Sequence, residues 1–243
     1  MRRIVLDRAV DKDQEVLIMG PPLEALRFQG ARVGSLITLS DSQGRDFRGR
    51  VLRLSEEGAS VLVFDLFPSP TESPVEIILL QALPEKERME LIIQKATELG
   101  VSAILAFKSK RSISLEEREA KQKKAHRWQQ IAIKAVQQSR RAKVPEVSYR
   151  PSFRQALEAC KDQGVKIILY EREGTSLKNV VTGSFSRRVY TIVGPEGGFT
   201  EAEVKMAKEE GFVPIKLGQR ILRTETAAIT LVGILQYELG DLK

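Results

Sequence analysis

Two segments constrain the fold more than any other part of the chain. They are Ile192-Val193-Gly194-Pro195-Glu196-Gly197-Gly198-Phe199-Thr200 and Leu217-Gly218-Gln219-Arg220-Ile221-Leu222-Arg223-Thr224-Glu225-Thr226-Ala227. Each runs from a short apolar stretch through a glycine-bearing turn into a helix start. Two strand-to-helix turns this close in sequence can lie side by side at one edge of a parallel sheet, where open α/β folds place their ligands. Gly194, Gly197, Gly198 and Gly218 let backbone approach a bound molecule, and Pro195 stiffens the first turn. One such loop reads as ordinary turn chemistry. Two, the second dense in arginine, threonine and glutamate, read as a binding site.

The rest of the chain supplies the sheet these turns need. Val75–Ala82, Ala103–Phe107, Lys166–Tyr170, Val189–Val193 and Val213–Leu217 read as strands, and Lys166–Tyr170 and Val189–Val193 are short continuous apolar runs of the kind buried on both faces. Between them lie helical patterns: Lys86–Leu99, with Met89, Ile92, Ile93, Ala96 and Leu99 on one face, and Arg118–Gln138, seamed by Trp128, Ile131, Ala132, Ala135 and Val136. A helix from Phe153 to Lys161 opens on Ser152 with Gln155, and another, from Thr200 with Glu203, stops at Gly211. A last helix spans Thr224 to Leu239. The expected class is α/β with a mostly parallel sheet over 75–243. Residues 1–68 read differently, as the short strands Glu15–Met19, Ser35–Leu39, Phe47–Leu54 and Ala59–Phe67 with a short helix at Leu23–Phe28. A small β-barrel is the simplest architecture for them. Residues 69–74, inside a stretch with three prolines in seven positions (68–74), are the expected linker.

Charge is unevenly placed. The net value is +7, yet Met1 to Pro68 balances ten basic against ten acidic residues, while Lys108 to Lys143 holds twelve Lys/Arg and three Glu, a net of +9. A basic face is commonly just solvated; next to a candidate site it also suits a polyanion. The single cysteine, Cys160, excludes an internal disulfide and a multi-cysteine metal site, and no metal is expected. No apolar run approaches the ~18 residues that span a bilayer. The basic start of the chain lacks a signal peptide's apolar core, so a cytoplasmic protein is expected. Gly-x-Gly-x-x-Gly after an early strand and Gly-x-x-x-x-Gly-Lys-Ser/Thr are both missing, which removes the Rossmann and P-loop readings. A non-catalytic RNA-binding module suits the charge and leaves Gly194–Gly198 and Arg223–Thr226 unexplained.

The two glycine-bearing segments, together with Gln94-Lys95-Ala96-Thr97-Glu98-Leu99-Gly100-Val101, Trp128-Gln129-Gln130-Ile131-Ala132 and Val144-Pro145-Glu146, closely resemble the motifs of the RsmE family, in the same order, from about Val75 onward. RsmE proteins are SAM-dependent methyltransferases of the SPOUT (trefoil-knot) superfamily that methylate N3 of a uridine in the decoding region of 16S ribosomal RNA. The resemblance implies a knotted α/β domain preceded by a PUA-like barrel, S-adenosyl-L-methionine as methyl donor, and a homodimer acting on the small ribosomal subunit or its RNA. The periodicity itself reveals no knot. Carried over by motif, the expected cofactor contacts are Leu169, Gly194, Glu196, Gly197, Leu217, Gly218, Ile221, Leu222 and Arg223; Ile221 taken alone reads as loop packing.

Methylating uracil N3 requires removal of a weakly acidic imide proton as the methyl arrives. A carboxylate can take it and an arginine can stabilise the developing anion. Arg223 and Glu225, two apart at a helix start, suit these tasks, although Glu225 equally suits the helix dipole. Thr224 and Thr226 read as helix caps or substrate contacts. His126, the sole histidine, lies on a basic helix away from both loops. Gln138-Ser139-Arg140-Arg141-Ala142-Lys143-Val144-Pro145 resembles the family's Gln-Ser-Gly-Arg-x-x-Val-Pro segment, with Arg140 in place of glycine. The resemblance implies that Arg141 completes the active site of the dimer partner, and the concentration of basic charge over 108–143 suggests that Arg140, Arg141 and Lys143 meet RNA phosphates. Arg48 and Arg50, alternating with Phe47 and Val51 on one strand, are the expected RNA contacts of the barrel. An apolar stripe of Ala227, Ala228, Leu231, Ile234 and Leu235 suits either a dimer interface or the chain's own core.

Overall fold

A computed structural model describes residues 2–43, 45–67, 72–112, 124–139, 141, 143–181 and 186–242. They form two units, one of residues 1–72 with 140–143 and one of residues 73–139 with 144–243.

In the first unit, strands β1 (Arg2–Val5), β2 (Glu15–Ile18), β3 (Leu36–Ser40), β4 (Asp46–Leu54) and β5 (Ala59–Leu66) make one sheet in the order β1-β3-β4-β5-β2. All its pairs are antiparallel except β1 with β3. Two register shifts on β4, at Arg48/Gly49 and Val51/Arg53, bend the sheet around a core of Ile4, Leu26, Ile37, Leu39, Phe47 and Val61. Arg8, just past β1, donates to the carbonyl of Leu17 on β2 at 2.7 Å, which brings the two edge strands together. This curled sheet, with helix α1 (Pro21–Phe28) against it, fits a small barrel-like domain. Asp41 braces its rim: burial alone would push the carboxyl up, but hydrogen bonds from Arg45, Gln43 and Val10 outweigh this and hold it below the usual range. Strand β1 was not expected from the sequence.

The second unit is a seven-stranded sheet, entirely parallel. It is built from β6 (Glu76–Ala82), β7 (Ala103–Phe107), β8 (Glu146–Arg150), β9 (Val165–Leu169), β10 (Thr175–Ser176), β11 (Arg188–Val193) and β12 (Val213–Lys216), in the order β10-β12-β9-β11-β6-β7-β8. Helices α2 (Lys86–Glu98), α3 (Lys124–Ser139), α5 (Leu177–Val181) and α7 (Thr224–Leu239) share one apolar cluster, while α4 (Phe153–Glu158) and α6 (Glu201–Glu209) share another. The sheet is therefore covered on both faces, as strands without polar alternation require. The edge strands β8 and β10 and the short α5 were not foreseen. The helix expected to Lys161 stops at Glu158, so Cys160 lies just beyond it, buried at 1% exposure. The helix expected from Arg118 is described from Lys124; residues 118–123, and residues 69–71 of the expected linker, lie outside the described residues. Among the described residues no helix is long and apolar enough to cross a membrane, and no group of metal-binding side chains occurs.

The fold explains where a ligand can go. Parallel strands β9, β11 and β12 are neighbours, so their carboxyl ends open side by side.

Candidate functional site

The loop after β11 is fastened from every side. The amide of Gly198 donates to the carbonyl of Pro195 at 2.9 Å, closing the turn, and Gly198 sits at φ +66, where a side chain would be strained. Phe199 is buried beneath it, stacked on Phe153 at 5.5 Å, with Phe107 beside both. Thr200 and Glu203 close a full capping box at the start of α6, as the sequence pattern predicts. Glu196 accepts hydrogen bonds from the amide of Glu85 and from Arg88, both at 2.9 Å, and so ties the loop to the start of α2.

The loop after β12 is built otherwise. Gly218 takes φ +84 with open space where a side chain would stand, and Gln219, Arg220, Ile221 and Arg223 are exposed, Ile221 at 87%. It ends at α7, whose N-cap is Arg223, with no side-chain cap. Thr224, expected as a cap or substrate contact, does a different job. Its hydroxyl donates to the carbonyl of Gly194 at 2.6 Å and accepts from the Gln81 amide at 3.1 Å, so the end of β6, the first loop and α7 meet at one buried point. Thr226 is exposed.

Between the two loops lies a cleft of about 480 Å³, lined also by Tyr170 and Glu171 beyond β9 and by Arg88 of α2. All nine residues expected to touch the cofactor line it: Leu169, Gly194, Glu196, Gly197, Leu217, Gly218, Ile221, Leu222 and Arg223. A side chain at Gly197 would meet Arg111, 3.2 Å away, and Arg111 donates to the Gly197 carbonyl at 2.7 Å.

Glu225 lies in the first turn of α7 with its side chain 15% exposed. The Nε of Arg88 is 3.9 Å from its Oε2, and that oxygen is buried with no hydrogen-bond partner among the described residues. A buried acceptor without a donor is costly; Glu225 itself is not among the residues that line the cleft, which it meets through Arg88. Arg88 thus touches both Glu196 and Glu225 and bridges the first loop to the helix that follows the second.

The remaining expected residues lie elsewhere. Arg141 does not line the cleft. It is 5% exposed, and its Nη2 meets Glu72 at 2.6 Å, so it is not the open cation that an RNA contact calls for. Lys143 is exposed, its amide bonded to Glu72. Arg140 lies outside the described residues. On β4, residues 47, 49 and 51 are buried; Arg50 is exposed and Arg48 half-buried, over the ring of Phe67 at 5.2 Å. Of the stripe on α7, Ala228, Leu231 and Leu235 belong to the chain's own core. Burial pushes the Cys160 thiol up to about 12, which removes it as a nucleophile.

The RNA methyltransferase domain family matches residues 71–236. Ribosomal RNA small subunit methyltransferase E of Bacillus subtilis (strain 168) is 34% identical over 212 residues, 84% of this chain and 82% of that protein. The chain belongs to the ribosomal RNA small subunit methyltransferase E family. The crystal structure of a family member from Neisseria gonorrhoeae bound to S-adenosyl methionine has a TM-score of 0.70 at 32% identity and covers 100% of both chains. A putative methyltransferase from Legionella pneumophila, in complex with the bound cofactor SAM, has a TM-score of 0.69 at 31% identity, covering 99% of each. Within this family fold, sequence reading missed Gln81, Arg88 and Arg111. Only Gln81 carries a signal, an amide inside the apolar run of β6.

Proposed function

We propose that this chain transfers the methyl group of SAM directly to N3 of a uridine in the decoding region of 16S ribosomal RNA. The observation that carries the reading is the buried Oε2 of Glu225, which accepts no hydrogen bond among the described residues and lies 3.9 Å from Arg88, a residue lining the cleft between the two glycine-bearing loops. The residues present suit SAM. The volume lies within the range of small-molecule sites, Leu169, Leu217 and Leu222 offer apolar faces, and the turns offer backbone donors and acceptors for an adenine edge. When bound, SAM supplies an electrophilic methyl carried on a sulfonium.

The chain's own residues do the rest. Glu225 accepts the uracil N3 proton at Oε2 as the N3–methyl bond forms and the sulfur–methyl bond breaks. Arg223, exposed at the start of α7 and without an ion pair among the described residues, stabilises the charge that develops on the uracil oxygens. Arg88 keeps Glu225 aligned. Thr224 and Gln81 hold the two loops at a fixed separation, which is the positioning that methyl transfer needs. The buried thiol of Cys160 takes no part.

The wider reading follows the family resemblance. Residues 1–68 are an RNA-binding, PUA-like unit presenting Arg48 and Arg50, residues 69–74 are its linker, and the protein acts in the cytoplasm on the small subunit or its RNA. It works as a homodimer in which Arg140, Arg141 and Lys143 serve the partner's site, a role that requires Arg141 to leave Glu72. Light scattering reporting a lone 27.2 kDa particle at micromolar concentration would overturn the dimer. The chemistry is tested by incubating the protein with SAM and unmodified 16S RNA and mapping nucleosides by mass spectrometry. N3-methyluridine is expected, and with Glu225→Gln it should form far more slowly while SAM binding is retained. 5-Methyluridine, or full activity in that variant, would sink the mechanism.

A further inference from the structure

The turn that follows β7 has no part in the chemistry above, and its construction is unusual for an exposed segment. Lys108, Lys110 and Arg111 are all exposed, and none forms an ion pair with a described carboxylate. Some cations of this unit are matched, Arg88 with Glu196 and Arg188 with Glu76 among them, and others, such as Lys161 and Arg187, have no ion pair among the described residues; the turn after β7 differs in how its backbone is held and in its contact with the first loop. The backbone carrying these three charges is nonetheless fixed. Ser109 is buried, its amide donates to the Ser112 hydroxyl at 3.1 Å, and the Ser112 amide returns to the Ser109 carbonyl at 3.2 Å. The amide of Lys110 donates at 2.8 Å to Oε1 of the buried Glu203, whose Oε2 accepts from the Thr200 amide at 2.9 Å. Arg111 reaches the Gly197 carbonyl on the wall of the cleft. Beneath the turn, Phe107 stacks with Phe153 and Phe199.

A side chain's entropy is lost more cheaply when its backbone is already fixed. Unmatched cations on a pinned turn therefore suit a partner that brings its own anions, rather than a solvated face. Across the cleft, Lys216, Arg220 and Arg223 line the other wall, also without a described ion pair. Arg111 thus meets one wall of the cleft through Gly197, and cations without an ion pair among the described residues line the other.

We propose that Lys108, Lys110 and Arg111 form a docking rim for RNA backbone phosphates flanking the nucleotide held in the cleft. Arg111 lies where that docking meets the first loop. The inference rests on the methyltransferase reading and adds to it the path of the substrate backbone. It also differs from the expected phosphate contacts at 140–143, which belong to the other unit.

The test compares the full-length protein with Lys108→Ala/Lys110→Ala, and with Lys161→Ala/Arg187→Ala, which removes the same charge from the opposite, amino-terminal edge of the sheet. Binding of a single-stranded poly(U) oligoribonucleotide is titrated against salt, with SAM affinity measured in parallel by calorimetry. The rim variant should lower the log–log salt slope by about 1.4, roughly 0.7 for each lost phosphate contact. It should also raise the KM for RNA, at unchanged SAM affinity. The control variant should leave the slope unchanged. An unaltered slope in the rim variant, or an equal drop in the control, overturns the proposal. Inorganic phosphate that competes with poly(U) at millimolar concentration and equally in both variants would overturn it too, by revealing a generic anion site. If the unmutated protein fails to bind SAM, it is the methyltransferase reading that falls instead.

Discussion

Residues 194–200 are held by a buried phenylalanine, a capping box, the Glu196 bonds to α2 and the Arg111 bond to Gly197. Residues 217–223 differ: no side chain among them makes a hydrogen bond or ion pair to another described residue. One wall of the cleft is part of the core, and the other is presented to whatever enters. Substitutions in the first wall should therefore register mainly as lost stability, and in the second mainly as lost function.

The largest effect is expected in the first wall. Phe199→Ala removes the ring that stacks on Phe153 and should cost about 3–5 kcal/mol, measured by urea unfolding. A loss below about 1 kcal/mol would mean the loop is not core-anchored, and the contrast between the walls would dissolve. Next comes Arg223→Ala in the second wall. It should lower kcat by about 10²–10³-fold while the unfolding midpoint stays in place, because the Arg223 side chain has no hydrogen bond or ion pair among the described residues. A matching loss of stability would break the comparison from the other side. The smallest effect is expected from Ile221→Ser. Its side chain is 87% exposed, so stability should move by no more than about 0.5 kcal/mol. SAM affinity read by calorimetry should fall about fivefold, near 1 kcal/mol of lost apolar contact. Unchanged affinity would place Ile221 outside the cofactor contacts.

The same contrast explains what could be read from sequence. Both loops were legible because glycine, proline and capping chemistry act over a few residues: Gly198 and Gly218 do take positive φ, and Thr200 with Glu203 does close the box. The final helix, Thr224–Leu239, and the strand Ala103–Phe107 follow equally local patterns. What failed depends on distance along the chain. Arg88 meets Glu196 across 108 positions, Gln81 meets Thr224 across 143, and Arg111 meets Gly197 across 86. No spacing rule reaches that far. Strand β8, Glu-Val-Ser-Tyr-Arg, escaped because an edge strand keeps polar residues and shows no continuous apolar run. That the bare side of Gly197 faces Arg111 is likewise visible only in the fold.

The location of Cys160 has a practical consequence. The only thiol of the chain is 1% exposed and held near a pKa of 12, so almost none of it is thiolate at neutral pH. A maleimide fluorophore will therefore pass over it. A cysteine placed at Ile221 becomes a single labelling point on the open wall of the cleft, with the native cysteine left in place to fill its share of the core.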